Sequence, residues 1–179
     1  MLWHHTGTHL PIVRGAETRL TPDTGLPIVR SMTQDELVES VRSELSGTEV
    51  VIATGEGDAP QVSWGDTFFF YDPDGVLPYA TIVVNDYPGF DESSDLGREG
   101  VFRVNAWVSR QTFDRVTPDE GSPIDYSVLD RIIPHPIYAK QAWVSVLNPG
   151  ALTGEAVEDL LTEAHARDRA RYEKRRASE

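Results

Sequence analysis

Cysteine is absent from this 179-residue sequence. That absence removes disulfide frameworks, thiolate zinc sites, iron–sulfur clusters and cysteine nucleophiles together, so any chemistry falls to His, Asp, Glu, Ser, Lys or Tyr. Long apolar runs are missing too. Nothing approaches the ~18 consecutive apolar residues that span a bilayer, and the N-terminus lacks a basic region followed by an apolar stretch. A cytoplasmic protein with no membrane partner is expected. A glycine-rich phosphate loop, a nucleophile elbow and a His-Glu-x-x-His pair are also lacking, which argues against an enzyme, and no cofactor is expected.

What is present suits one domain. Hydrophobic residues make up 39% of the chain and charged residues 25%, enough to fill one core and too apolar for a charge-dominated disordered chain. The net charge of −13 is unevenly spread. Residues 1–31 carry three Arg against Glu17 and Asp23, residues 163–179 carry six basic against four acidic groups, and residues 32–162 carry seven basic against 23 acidic, or −16. Sequence-independent nucleic-acid affinity comes from Lys and Arg displacing condensed counterions. A body this acidic disfavours nucleic acid as a partner and favours solubility.

The first 31 residues differ from the rest. They hold Pro11, Pro22, Pro27 and three Gly, with no sustained period of 3.6 or 2. Leu10-Pro-Ile-Val-Arg14 recurs as Leu26-Pro-Ile-Val-Arg30, an offset of 16 residues that is too small a repeat to build a solenoid. His4, His5 and His9 could form a metal pair only on a helix, which Gly7 argues against. Residues 1–31 therefore read as a disordered leader or a mis-assigned start, with Met32 the native initiator, and residues 32–179 as one domain.

Thr33-Gln-Asp-Glu36 is a capping box, and Leu37, Val38, Val41 and Leu45 continue one apolar face, so the spacing predicts a helix over about 34–45 stopped by Gly47. Val50-Val-Ile52 is β-branched and predicts a buried strand. Thr67–Tyr71 and Val76–Asn85 flank Asp72-Pro-Asp-Gly75 and predict a hairpin. Val101–Val108 alternates as a strand. Ser109 caps a short helix to Val116, Tyr126–Ile133 reads as a further helical piece, and Pro134 and Pro136 frame His135 in an irregular stretch. Ala142–Leu147 predicts a last strand. Thr153 caps a long final helix with Val157, Leu160, Leu161, Ala164 and Tyr172 on its buried stripe and six cations near its C-terminus. Strands joined by hairpins, with helices at both ends, predict an α+β fold: a single compact domain with a mainly antiparallel sheet flanked by an N-terminal helix and a long C-terminal helix.

Several constellations are candidates for function. Arg103 and Asn105, two apart, share a strand face; with Trp64, Asp66 and Trp107 they form a mix of aromatic and polar types that suits a small-molecule pocket. The alternative is that Arg103 pairs with a loop carboxylate and Trp107 is packing. His135 and Lys140 could serve as an acid–base pair. Asp86, Asp91, Glu92 and Asp95 lie on one acidic loop, and Asp86, Asp91 and Asp95 are candidate ligands for Mg²⁺ or Ca²⁺. Asp72 and Asp74 before Gly75 match a fragment of a calcium loop, but without its distal Glu they read as a turn.

His135-Pro-Ile-Tyr-Ala-Lys140-Gln-Ala-Trp143-Val-Ser-Val146, followed by Asn-Pro-Gly and the long closing helix, resembles the C-terminal half of MmcQ/YjbR-like proteins. Trp64-Gly-Asp66, Phe69-Phe-Tyr-Asp-Pro73, Pro78-Tyr-Ala-Thr-Ile82, Pro88-Gly-Phe-Asp91 and Phe102-Arg-Val-Asn105 more closely resemble a bacterial family of domains of unknown function. The resemblance spans residues 32–175 and implies a compact α+β domain similar to the double-wing fold, for which DNA binding is suggested by fold likeness. The charge of this chain departs from that. The expectation is a non-enzymatic module that binds a small molecule or a protein through the strand face at Arg103 and Asn105. The alternatives are a DNA-binding protein by analogy with the double-wing fold and a metal-assisted enzyme using the acidic loop.

Overall fold

Thr33 and Glu36 open the first helix as the sequence predicts. The Thr33 Oγ1 accepts from the Glu36 amide at 3.2 Å while the Glu36 carboxylate accepts from the Thr33 amide at 2.8 Å, so two backbone donors that the helix leaves free are satisfied. The helix, α1, runs Gln34–Glu44 and buries Leu37, Val38 and Val41. Gly47 follows at φ +82°, where a Cβ would sit 3.0 Å from the Tyr71 ring. A left-handed backbone and a close neighbour both demand glycine there.

The computed structural model describes residues 31–56, 59–71, 77–119 and 121–178. The leader with its three histidines and its pentapeptide repeat, and the Asp72-Pro-Asp74-Gly75 turn with its calcium-loop fragment, lie outside them. After α1 come β1 (Glu49–Ile52), β2 (Thr67–Phe70), β3 (Ala80–Val83), β4 (Arg103–Trp107), α2 (Arg110–Val116), β5 (Ile132–Pro134), β6 (Trp143–Leu147) and α3 (Gly154–Arg176). The strands form one sheet in the order β1-β2-β3-β4-β6-β5, with every neighbouring pair antiparallel. The α+β reading holds.

Register divides the sheet into two faces. Ala80, Ala106 and Val144 align across β3, β4 and β6, as do Ile82, Val104 and Val146. These small and branched side chains pack in one core with Phe69, the α1 residues and Val157, Leu160, Leu161 and Ala164 of α3. On the opposite face the rows are Thr81–Asn105–Ser145 and Val83–Arg103–Leu147. A smaller apolar cluster of Val83, Leu96, Ile133 and Leu147 gathers there beneath Tyr87, Ile124, Tyr126 and Val128. The second face is therefore covered by chain between the strands, not by helices.

Three expectations are corrected. β1 is not buried: Val51 and Ile52 are 43% and 47% exposed, because a β-branched run specifies extended backbone while its place at a sheet edge decides burial. The stretch read as helical at 126–133 and irregular at 134–136 contains β5, which pairs Ile132 with Val146 and Pro134 with Val144. Proline is tolerated there because an edge strand leaves one row of amides unpaired. At α3, Thr153 stands at the N-cap position without a side-chain cap bond. Its hydroxyl instead donates at 2.6 Å to Asp130, whose carboxylate also accepts from the amides of Gly150, Leu152 and Thr153. One carboxylate thereby accepts four hydrogen bonds from the turn into α3. Burial works against the ionised form of Asp130, and these hydrogen bonds outweigh it and hold its carboxyl below the usual range.

Candidate functional site

β4 alternates side chains between the two faces, which sends Arg103 and Asn105 away from the helices. They do share a face, and both are buried, at 2% and 1% exposure. A buried guanidinium requires a charged partner. Arg103 Nη2 donates to Asp91 Oδ2 at 2.6 Å, Nη1 to Asp91 Oδ1 at 3.2 Å, and Nη1 also to Ser94 Oγ at 2.6 Å. The loop carboxylate of the alternative reading is thus Asp91. Arg103 Nε is buried with no hydrogen-bond partner among the described residues.

Asn105 is satisfied at both ends. Its amide donates to Thr81 Oγ1 at 2.9 Å and its carbonyl accepts from Ser145 Oγ at 2.7 Å. Asp66, fully buried, accepts from the Val84 amide at 2.8 Å and from the Tyr87 hydroxyl. Burial raises the Asp66 carboxyl, and the bonds from Tyr87 and Val84 offset part of that rise. Burial also raises the Tyr87 phenol, and its bond to Asp66 raises it further. Together these groups anchor the segment after β3 onto the sheet.

His135 joins the same buried region. Its Nδ1 accepts from the amides of Ile137 and Tyr138 at 3.1 and 3.3 Å. Burial, followed by the charge of Arg103, pushes its pKa down to about 3 against a smaller opposing effect of Asp91. It is held as a neutral acceptor. Tyr138 and Trp143 pack on its ring at centroid distances of 5.0 and 6.3 Å.

The structure brings Asp66, Arg103, Asn105 and His135 to one face but leaves Trp64 and Lys140 outside. Trp64 is 42% exposed, and its indole donates to the Ala59 carbonyl at 3.2 Å. Lys140 is exposed in the turn before β6 and forms no pair with His135. The acidic loop likewise does not converge. Asp91 is committed to Arg103, Asp86 accepts from the Leu96 amide at 3.0 Å, and Asp95 is 67% exposed beside Arg98. Among the described residues no group of three or more His, Asp or Glu is placed to hold a metal ion.

An open cavity of about 620 Å³ lies elsewhere, between α2, the chain that follows it and the turn before β6. Arg110, Phe113, Asp114, Ile124, Tyr126 and Lys140 are in its wall. Arg110 donates to the Lys140 carbonyl at 2.5 Å, which sets the two cationic residues at one rim, and it faces Asp114 at 3.8 Å. Lys140 has no ion pair among the described residues. Sequence reasoning found Lys140 but missed Arg110 and Phe113, which share one turn of α2, and Tyr126 in the chain after it; no motif links them to Lys140. It also missed Ser94, Thr81 and Ser145, although Thr81 and Ser145 could have been found from strand register.

The basic end of α3, the cation source for the nucleic-acid alternative, is partly tied up. Arg169 bonds Glu173 and Arg171 bonds Asp168, while the guanidinium carbons of Arg167 and Arg171 lie 4.2 and 5.2 Å from the Trp107 ring centre. No helix among the described residues is long and apolar enough to cross a membrane. No curated protein and no solved structure matches the chain. A family of unknown function, DUF6194, matches residues 32–177. That match covers most of the sequence, and the chain belongs to the DUF6194 family.

Proposed function

We propose that this protein is a non-enzymatic binding module for a small amphipathic anion, held in the cavity beside α2. One observation carries the reading: Arg110 and Lys140 stand at one rim of a cavity of about 620 Å³ whose wall also includes Phe113, Ile124 and Tyr126. A cation beside a cleft of mixed lining orients a carboxylate or sulfonate, while Phe113, Ile124 and Tyr126 take the ring or chain attached to it. The volume falls within the ~300–1,000 Å³ range of ordinary ligand pockets. Asp114 and Asp119 in the same wall disfavour multiply charged anions, so the ligand carries one negative group.

The polar residues first expected to bind, Asp66, Arg103 and Asn105, serve in this reading as the clamp that fixes the opposite face. Their hydrogen bonds to Tyr87, Asp91, Ser94, Thr81 and Ser145 support that role. The wider MmcQ/YjbR-like kinship is supported by the His135–Val146 run that leads into the last strand and closing helix.

Thermal-shift titration with benzoate, indole-3-acetate and naphthalene-2-sulfonate tests the proposal. A binder at one hundred times its Kd adds about 2.7 kcal/mol, which is several degrees for a domain of this size. Lys140→Ala and Arg110→Ala should each remove that shift without lowering the unliganded Tm by more than a degree or two. A shift that survives both substitutions overturns the site.

A further inference from the structure

The two edges of the sheet are built differently. β5 is three residues long, ends in Pro134 and is packed by α2. Such an edge is guarded against pairing with another strand. β1 is the sequence Glu-Val-Val-Ile, without proline, lysine or bulge, and its Val51 and Ile52 side chains stand 43% and 47% exposed. Just beyond it Trp64, 42% exposed, packs over Gly55, where a Cβ would meet the indole at 3.2 Å.

Hydrogen bonding shows which groups on β1 are open. The Ala53 amide donates to the Asp66 carbonyl at 2.8 Å, and the Ala53 carbonyl accepts from the Gly65 amide at 2.8 Å, so Ala53 turns both backbone groups towards the β2 side. The Phe69 carbonyl accepts from Tyr79, so Phe69 faces β3, and Phe68, the partner of Val51, faces β1. Alternation along an extended strand then turns Val51 inward to β2 and turns the amides and carbonyls of Val50 and Ile52 to the outer edge, where no strand pairs with them among the described residues.

We propose that this edge pairs with the same edge of a second copy, antiparallel and centred on Val51, joining the two sheets into one. Side chains opposite each other across an antiparallel seam share a face, so the twofold passes through a residue and not between two, and the middle positions of the four-residue β1 are Val50 and Val51. Centring on Val51 sets Val51 against Val51, Val50 against Ile52, Glu49 against Ala53 and Thr48 against Thr54. The outward groups of Val50 and Ile52 then exchange four main-chain hydrogen bonds across the seam. No like charges meet, because the two Glu49 carboxylates stand at opposite ends, roughly 13 Å apart along the strands and beyond the ~8 Å Debye length at physiological salt. Centring on Val50 would instead bring Glu49 against Val51 and Thr48 against Ile52. A second copy is favoured over an open polymer because the guarded β5 offers no complementary edge, whereas twofold pairing of β1 closes on itself.

Sedimentation velocity of the full chain from micromolar to submillimolar concentration tests this. The wild type should reach a dimer. Val51→Lys and Val51→Glu each place like charges about 5 Å apart on the axis and should weaken the dimer about tenfold or more. Mixing the two variants should restore a one-to-one heterodimer, which a simple loss of folding would not. A wild type that stays monomeric overturns the proposal and leaves the edge to a strand from another protein. A dimer untouched by Val51→Lys, or folded variants that fail to pair when mixed, overturns it as well.

Discussion

Removing Asp91 isolates the energetics of the clamp. Arg103 is 2% exposed and Asp91 6%, and two hydrogen bonds at 2.6 and 3.2 Å join them. Asp91→Ala leaves a guanidinium in the interior with the Ser94 hydroxyl as its one side-chain partner. Breaking a buried pair from one side costs about 3–5 kcal/mol, since the remaining charge is desolvated without compensation. That is a large part of the ~5–15 kcal/mol that stabilises an ordinary domain. The same physics predicts that Arg103→Met combined with Asp91→Leu recovers most of the loss, because apolar groups of similar volume remove both charges together. Urea unfolding of the wild type, the single variants and the double variant gives the cycle directly. Asp91→Ala should also speed hydrogen exchange between residues 86 and 98, whose attachment to β4 runs through Arg103. A cost below about 1 kcal/mol for Asp91→Ala, in the range of an exposed ion pair, would refute the reasoning. So would a double variant less stable than either single one.

Two further outcomes follow from the same face and from the turn into α3. His135 has its pKa lowered to about 3 in the folded state, against ~6.5 when unfolded. Stability from its neutral form is therefore fully present above pH 6.5, and it falls by up to about 1.4 kcal/mol per pH unit as pH drops towards 3. Asp66, raised by burial, acts in the opposite sense at the acid end, because the folded state takes up its proton first. His135→Asn, whose side-chain oxygen can accept from the Ile137 and Tyr138 amides, should flatten the stability profile between pH 6.5 and 5 in urea titrations; an unchanged slope would show that His135 is not the group responsible. Asp130→Ala removes four hydrogen bonds to the turn at Gly150–Thr153 and should cost about 2–3 kcal/mol, whereas Asp130→Asn, which keeps one acceptor oxygen, should cost less. Equal losses in guanidinium unfolding would contradict the bonding scheme.

Where the sequence was legible, the information was local. Thr33 and Glu36 satisfy each other within one helical turn, Ser109 accepts from the Thr112 amide three residues on, and the α3 stripe of Val157, Leu160, Leu161 and Ala164 needs only a period of 3.6. What failed depended on distant chain. Val50-Val-Ile52 reads alike in a central strand and at an edge, and only the sheet order makes it the edge. Thr153 looks like a cap until Asp130, 23 residues earlier, reaches its hydroxyl. Ile132–Pro134 is too short to declare itself a strand without β6 beside it. The two-residue spacing of Arg103 and Asn105 correctly placed them on one face, but spacing carries no information on what covers that face.

That distinction bears on how function is sought in a chain of this kind. A pocket and a buried polar cluster draw on the same residue types, and the difference lies in whether each donor already has an acceptor inside the protein. Arg103, Asn105 and Asp66 draw attention in the sequence because a charged or amide side chain inside a strand, or an Asp just before one, must be explained. The structure explains them through Asp91, Ser94, Thr81, Ser145, Tyr87 and Val84. Lys140 and Arg110 attract little notice, since cations in turns and short helices are ordinary. Yet Lys140 lines the cavity without an ion pair among the described residues, and the charge Arg110 offers is opposed by Asp114 at 3.8 Å. The proposed binding role therefore rests on the unremarkable cations lining the cavity, while Arg103 and Asn105 of β4 already have hydrogen-bond partners inside the protein.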